Sequence, residues 1–231
     1  MIARLIGDAA HVAVGAASPI PATACALLAA RGRHLRVSLL HKRKGNPFSE
    51  GSRELFDLAG QGRIDVFFLG GAQIDGEANV NLVRAEGRRF PGSFGSAFMY
   101  FAARRTILFR EEHSRRVLVP KVEFVSAPGS SAPGVWRRGG PQALLTGKAL
   151  FAWQAERRRF RLESVHPGSS LEEVREATGF DFDCDPSVPQ TAAPAPEDLA
   201  LLRGPVAREI TANYPAFGSR VWEAGISHSK S

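Results

Sequence analysis

The sequence predicts an α/β fold, an open and mostly parallel sheet with helices on both faces. Short apolar runs that read as strands alternate with helix-like runs from His11 to Leu69. The apolar runs close on glycine, and the helical runs carry their own start signals.

In order, His11-Val-Ala-Val-Gly15 reads as a short buried strand ending at a glycine. Pro19-Ile-Pro21 opens a helix to about Arg31, because proline suits a first helical turn. Leu35 to Leu40 is a second strand, Lys42 to Gly51 a polar loop, and Arg53 to Gly60 an amphipathic helix. Ile64 to Leu69 is a third strand, closed by Gly70-Gly71. Thr106 to Phe109 and Val117 to Val125 read as further strands, and Ala127 to Pro141 as a long, mobile loop. Ala149 to Trp153 and Phe160 to Val165 form a hairpin around Ala155-Glu-Arg. The helix from Leu171 to Thr178 has Ser170 and Glu173 as a capping box and Gly179 as a left-handed cap. Helices over Glu197 to Arg203 and Val206 to Tyr214 follow, split by Gly204-Pro205. The chain reads as one domain over residues 1–215 with a flexible tail over 216–231.

Composition bounds the function. The 231 residues, 44% hydrophobic and 23% charged, suit a globular protein. No apolar run approaches the ~18 residues of a membrane span. Asp8, His11 and Pro19 interrupt the alanine-rich start, which argues against an export signal. A cytoplasmic protein is expected, with Cys25 and Cys184 as incidental thiols at no metal-binding spacing. The net charge of +7 raises nucleic acid as a partner. Yet the basic residues fall in separate clusters, such as Arg115-Arg116 and Arg157 to Arg161, with no aromatic-interleaved motif, and nucleic acid is set aside.

Chemistry concentrates in Gly70-Gly71-Ala72-Gln73-Ile74-Asp75-Gly76-Glu77-Ala78-Asn79-Val80-Asn81. Glycines directly after a buried strand let a ligand approach the backbone and its N–H groups. A valine at Gly71 is therefore expected to fill ligand space and spare the fold. Gln73, Asp75, Asn79 and Asn81 add short polar groups at the same sheet edge, where parallel sheets bind ligands. A plain Gly-Gly turn with side-chain caps fits the same spacing.

This segment resembles the β-subunit motif G-G-A-Q-I-D-x-x-G-N-V-N of the class I, glutaconate-type CoA-transferases. Phe90-Pro-Gly-Ser-Phe-Gly-Ser-Ala97 resembles that family's F-x-G-S-G-G. The likeness continues through Arg115-Arg116 and Lys121 to Gly129, and Glu172 to Asp183 resembles E-D-V-x-E-x-T-G-F-D-x-D. The resemblance implies an open α/β sheet and a heteromer in which a homologous α subunit completes the active site. It implies acyl-CoA and carboxylic acid substrates, with coenzyme A entering as a thioester and no cofactor or metal held permanently. Residues implied to bind CoA or substrate are Gly70, Gly71, Ala72, Gln73, Asp75, Asn79 and Asn81, and the glycine-rich loop Gly92, Ser93, Gly95 and Ser96. That loop supplies N–H donors for an oxyanion.

The family mechanism also implies a glutamate nucleophile after a strand of the type H-I-I-V-E. The matching stretch is His34-Leu-Arg-Val-Ser38, so Ser38 occupies that position. Leu39, Leu40, His41 and Lys42 follow, and the nearest downstream carboxylate is Glu50. Phe94 replaces the second glycine of G-S-G-G. A side branch, the ring-opening hydrolases of steroid catabolism, is similar in both chains but lacks the β-subunit nucleophile and uses an α-subunit glutamate as base. His166-Pro-Gly168 occurs in that branch too.

Other residues carry less. Glu111-Glu112-His113 fits an acid–base pair or a solvated charged patch, and His166 a turn or core residue. Ser38 as a nucleophile needs a base, and strand alternation sends His41 to the opposite face. Trp136, Trp153 and Trp222 form no cage pattern and fit packing roles.

Overall fold

The computed structural model describes residues 1–40, 42, 48 and 50–223. Along the chain run α1 (Ile2–Ile6), β1 (His11–Val14), α2 (Pro19–Ala30), β2 (Arg36–Leu39), α3 (Ser52–Gly60) and β3 (Val66–Leu69). Short strands follow: β4 (Gln73–Ile74), β5 (Val80–Asn81), β6 (Arg84–Ala85) and β7 (Arg88–Arg89). Then come α4 (Ser96–Ala102), β8 (Arg105–Arg110), β9 (Pro141–Thr146), β10 (Ala149–Gln154), β11 (Arg159–Val165) and α5 (Leu171–Ala177). The described chain closes with α6 (Pro196–Arg203), α7 (Pro205–Asn213), α8 (Pro215–Gly218) and a π-helical turn, Ser219–Glu223. Residues 224–231 of the expected tail, and most of the expected loop over 42–51, lie outside the described residues.

The chain forms two compact units, one of Met1–Leu55 with the stretch from Ala193, the other Phe56–Ala192. In the first, β1 pairs in parallel with β2, with Ala13 opposite Ser38. Pro19 and Pro21 pre-set the first turn of α2 at no hydrogen-bond cost. Its alanines and leucines then pack against α6 and α7, burying Cys25, Leu28, Val206 and Ile210. Arg31 Nε donates to Asp198 Oδ1 at 2.7 Å, tying α2 to α6. Burial pushes the Cys25 thiol up to about 12, so it is inert at neutral pH.

In the second unit the strand order is β11-β10-β9-β8-β3. The β3–β8 and β8–β9 pairs are parallel, and β9–β10 and β10–β11 antiparallel. With the parallel β1–β2 pair, this is the mostly parallel α/β class expected. β3 is buried at every residue, so its Val-Phe-Phe-Leu run is continuous rather than alternating. Phe151, Phe160 and Phe180 fill the core under the hairpin, with ring centroids 5.7–6.5 Å apart. The α5 capping box forms as expected: Glu173 N donates to Ser170 Oγ at 3.1 Å, and Ser170 N to Glu173 Oε2 at 3.2 Å.

Some expectations are corrected. Residues 117–125 are not a strand. Their contact with β4 is a single bridge, Ile74 to Leu118. Pro120 has no N–H, and the N–H groups of Val122 and Glu123 go to the side chains of Asp75 and Gln73 rather than to a neighbouring strand. Gly179 is not a left-handed cap: α5 ends on Thr178 at φ −98°. Glycine is needed there because a Cβ would strike the Leu118 carbonyl oxygen. The loop before β9 is pinned. Arg137 donates to the carbonyls of Gly139 (2.8 Å), Pro128 (2.8 Å) and Tyr100 (3.0 Å), with its guanidinium 4.7 Å from the Tyr100 ring centre.

Candidate functional site

Two segments of the second unit follow β3. The first is the 70–81 block, where β4 and β5 form a hairpin pairing Gln73 with Asn81. Its short polar groups bond to the chain itself. Asp75 Oδ1 accepts from the N–H groups of Glu77 (3.1 Å) and Asn79 (3.0 Å), and Oδ2 from Val122 N–H (3.3 Å). Asn79 Oδ1 accepts from Gly129 N–H at 3.1 Å. Gln73 Oε1 accepts from Asn81 Nδ2 (2.9 Å) and Glu123 N–H (3.1 Å), and Gln73 Nε2 donates to Glu123 Oε1 (2.9 Å). Asn81 Nδ2 also donates to Arg84 O at 2.6 Å, and Asn81 Oδ1 accepts from Val83 N–H at 3.1 Å. Ala72 N–H donates to Asn81 O at 2.8 Å. Gln73, Asp75 and Asn81 are buried, so each lost bond leaves a polar group without water.

The glycines here answer to packing. A Cβ on Gly71 would lie 2.6 Å from Val80 Cγ1, and one on Gly70 2.9 Å from Phe109 O. A valine at Gly71 therefore disturbs the fold, contrary to the expectation that it would only fill ligand space. At its outer edge the block borders a cleft of about 570 Å³, lined by Lys121 and Arg158 as well as Glu77 and Asp181.

The second segment, Phe90 to Phe98, is built differently. Gly92 has φ +102° with nothing near its Cα hydrogen, while a Cβ on Gly95 would run into the Phe56 ring. A single turn, Ser96 N–H to Ser93 O at 2.8 Å, leads into α4. Among the described residues, the backbone N–H groups of Ser93, Phe94 and Gly95 have no acceptor. Phe94 has φ +45°, a left-handed conformation that costs a non-glycine residue roughly 1–2 kcal/mol. Its side chain is 83% exposed. The ring lies 5.6 Å from Phe56, which also meets Phe98 at 6.1 Å, edge to face.

Ser38 and Glu50 belong to the first unit. Ser38 is 1% exposed, and its Oγ is hydrogen-bonded to His11 Nε2 at 2.7 Å. Along the chain the nearest histidine is His41, and that residue lies outside the described ones. The parallel register is what finds His11: Ala13 stands opposite Ser38, and His11, two residues earlier, shares its face. The pair is enclosed within this chain. Glu50 is exposed, with its backbone N–H on Glu54 Oε1 (2.9 Å) and Arg53 Nη1 3.4 Å from Oε2.

The remaining candidates are structural. Glu112 pairs with Arg116 and accepts from Ser114 Oγ, which with its guanidinium neighbours holds its carboxyl below the usual range. His113 is buried between Thr146 Oγ1 (2.7 Å) and Thr178 Oγ1 (2.9 Å). Thr178 gives its own proton to Val174 O, so His113 Nε2–H donates to Thr178, while Thr146 Oγ1 meets both His113 Nδ1 and the Ala149 carbonyl. Burial pushes this imidazole down to about 4. His166 lies between Thr191 Oγ1 (2.7 Å) and Thr146 O (3.1 Å), and burial lowers it too. No cluster of His, Cys, Asp and Glu able to hold a metal occurs among the described residues. Among them, too, no helix is long and apolar enough to cross a membrane.

The Coenzyme A transferase family model matches residues 37–177, which takes in Ser38, Glu50 and both glycine-rich segments. The chain belongs to the coenzyme A transferase family. It is 32% identical over 163 residues to the B subunit of the 3-oxoadipate CoA-transferase of Pseudomonas knackmussii, covering 66% of this chain and 62% of that one. To the B subunit of the glutaconate CoA-transferase of Acidaminococcus fermentans it is 33% identical over 150 residues, covering 60% and 55%. The chain thus spans less than two thirds of the length of these relatives. The crystal structure of glutaconate coenzyme A-transferase from Acidaminococcus fermentans superposes with a TM-score of 0.75 at 24% identity, covering 88% of this chain and 90% of that one. The decarboxylase AibA/AibB superposes with a TM-score of 0.71 at 28% identity, covering 87% and 90%.

Proposed function

We propose that this chain is the β-type subunit of a heteromeric CoA-transferase-like enzyme, which moves CoA between carboxylic acids and whose active site a homologous α-type subunit completes. The observation that carries this is the loop at Gly92, Ser93, Gly95 and Ser96. It lies inside the family-matched segment, and the amides of Ser93, Phe94 and Gly95 in it have no acceptor among the described residues, which suits them to a thioester oxyanion. The relatives named as B subunits support a paired assembly. The CoA thioester is a substrate here, with no resident cofactor. The unpaired thiols Cys25 and Cys184 fit a cytoplasmic setting.

The nucleophile divides two readings. In a transferase a carboxylate attacks the acyl-CoA carbonyl, and Glu50 is the exposed carboxylate next after the matched strand. The second reading is favoured by the enclosure of Ser38 at the family's nucleophile position. The chain then shapes a site in which an α-subunit carboxylate acts as base, as in ring-opening acyl-CoA hydrolases. AibA/AibB, named a decarboxylase, shows that this fold also serves reactions other than transfer. Co-expression with the α-type partner, a panel of acyl-CoAs and mass spectrometry of the products test both. Transfer of CoA, with a borohydride-reducible thioester on Glu50, supports the first reading. Turnover without an adduct on this chain supports the second, and no turnover of any acyl-CoA overturns both.

A further inference from the structure

We infer that Phe94 makes the glycine-rich loop selective for acyl-CoA thioesters with an apolar acyl group, by setting an aromatic wall beside the oxyanion donors. This rests on the proposed acyl-CoA function and narrows it to a substrate class. The loop places two kinds of group side by side. The N–H groups of Ser93, Phe94 and Gly95 have no acceptor among the described residues and suit a thioester oxygen. The Phe94 ring, 83% exposed, lies 5.6 Å from Phe56, which also meets Phe98, itself 42% exposed. Folding gains only the one ring contact with Phe56 from a phenylalanine here. At φ +45° a glycine would relieve the backbone and remove an apolar ring from water. The position gains most if something apolar covers the ring.

That something is identified by what the loop's amides hold. A thioester carbonyl fixed by the N–H groups of residues 93–95 carries its acyl carbons within reach of the neighbouring ring. An alicyclic, aromatic or branched acyl group buries the ring and its own surface together. A dicarboxylic acyl group would set its free carboxylate against the ring and forfeit its hydration without a partner.

The test uses the co-expressed complex and two substrates, cyclohexanecarbonyl-CoA and glutaryl-CoA, with native protein, Phe94→Gly and Phe94→Leu. The native complex is expected to favour cyclohexanecarbonyl-CoA at least tenfold in kcat/KM. Phe94→Gly should cut that ratio about tenfold, mainly through KM for the apolar thioester, and Phe94→Leu should restore part of it. An unchanged ratio in a complex that turns over acyl-CoA overturns the inference and leaves the proposed function standing. Equal loss on both substrates, with dissociation of the complex on gel filtration, also overturns it, because the ring then packs against the partner. No turnover of any acyl-CoA by the native complex overturns the functional reading itself.

Discussion

The 70–81 block and the 90–98 loop both follow β3, and they are built in opposite ways. In the first, Gln73, Asp75, Asn79 and Asn81 bond to the chain's own backbone and side chains, and the glycines make room for Val80 and Phe109. In the second, consecutive amides have no acceptor among the described residues, a phenylalanine sits at φ +45°, and its ring stands in water. A segment that satisfies itself holds shape. One that keeps its amides and an apolar ring open to the surface is free to meet a ligand. On the proposed reading the motif-rich block is the scaffold, anchoring residues 122–129, and the departure from the motif at Phe94 marks the working face.

The largest effect expected from breaking this contrast is on stability. Asn81→Leu takes one partner from the buried Gln73 amide oxygen and from the part-buried Val83 N–H and Arg84 carbonyl. At about 1 kcal/mol for each lost bond, a loss of roughly 3 kcal/mol is expected in urea unfolding. A loss below about 1 kcal/mol would mean that the block is not scaffold.

The next effect comes from the core of the same unit. His113 has a folded pKa near 4, below its ordinary 6.5. Between those values the unfolded chain binds a proton that the folded chain refuses, so stability falls as pH drops through that window and is fully present above it. About 2 kcal/mol should be lost between pH 7 and 4.5. Urea midpoints of the native chain and His113→Gln at both pH values check this, and the drop should shrink in the variant.

The smallest stability effect belongs to the loop. Phe94→Gly relieves the left-handed strain but loosens the unfolded chain and gives up the Phe56 contact, so a change within about 1 kcal/mol is expected. A loss beyond about 2 kcal/mol in thermal unfolding would make the ring structural and erase the contrast.

Much of this fold was legible in the sequence because its signals are local. Pro19 and Pro21 open α2, Ser170 and Glu173 close on each other, and Ala155-Glu-Arg turns the hairpin. What escaped depends on distant partners. Residues 117–125 carry strand-like side chains, but the N–H groups of Val122 and Glu123 are claimed by Asp75 and Gln73 from far back in the chain. α4 hides its helix behind aromatic residues with weak helix preference. The site was half legible. Glycines and short polar residues mark both segments, but composition cannot say whether such groups face a ligand or each other. Along the chain Ser38 has His41 nearby, whereas its partner, His11, arrives through the pairing of β1 with β2.

The most direct measurement is amide hydrogen exchange on the co-expressed complex, with and without a non-hydrolysable thioether analogue of cyclohexanecarbonyl-CoA. Amides of residues 93–95 are expected to exchange fast in the free complex and slow at least tenfold on binding, while those of 73–81 stay slow throughout. Protection that appears in 73–81 and leaves 93–95 unchanged would contradict the assignment of scaffold and working face.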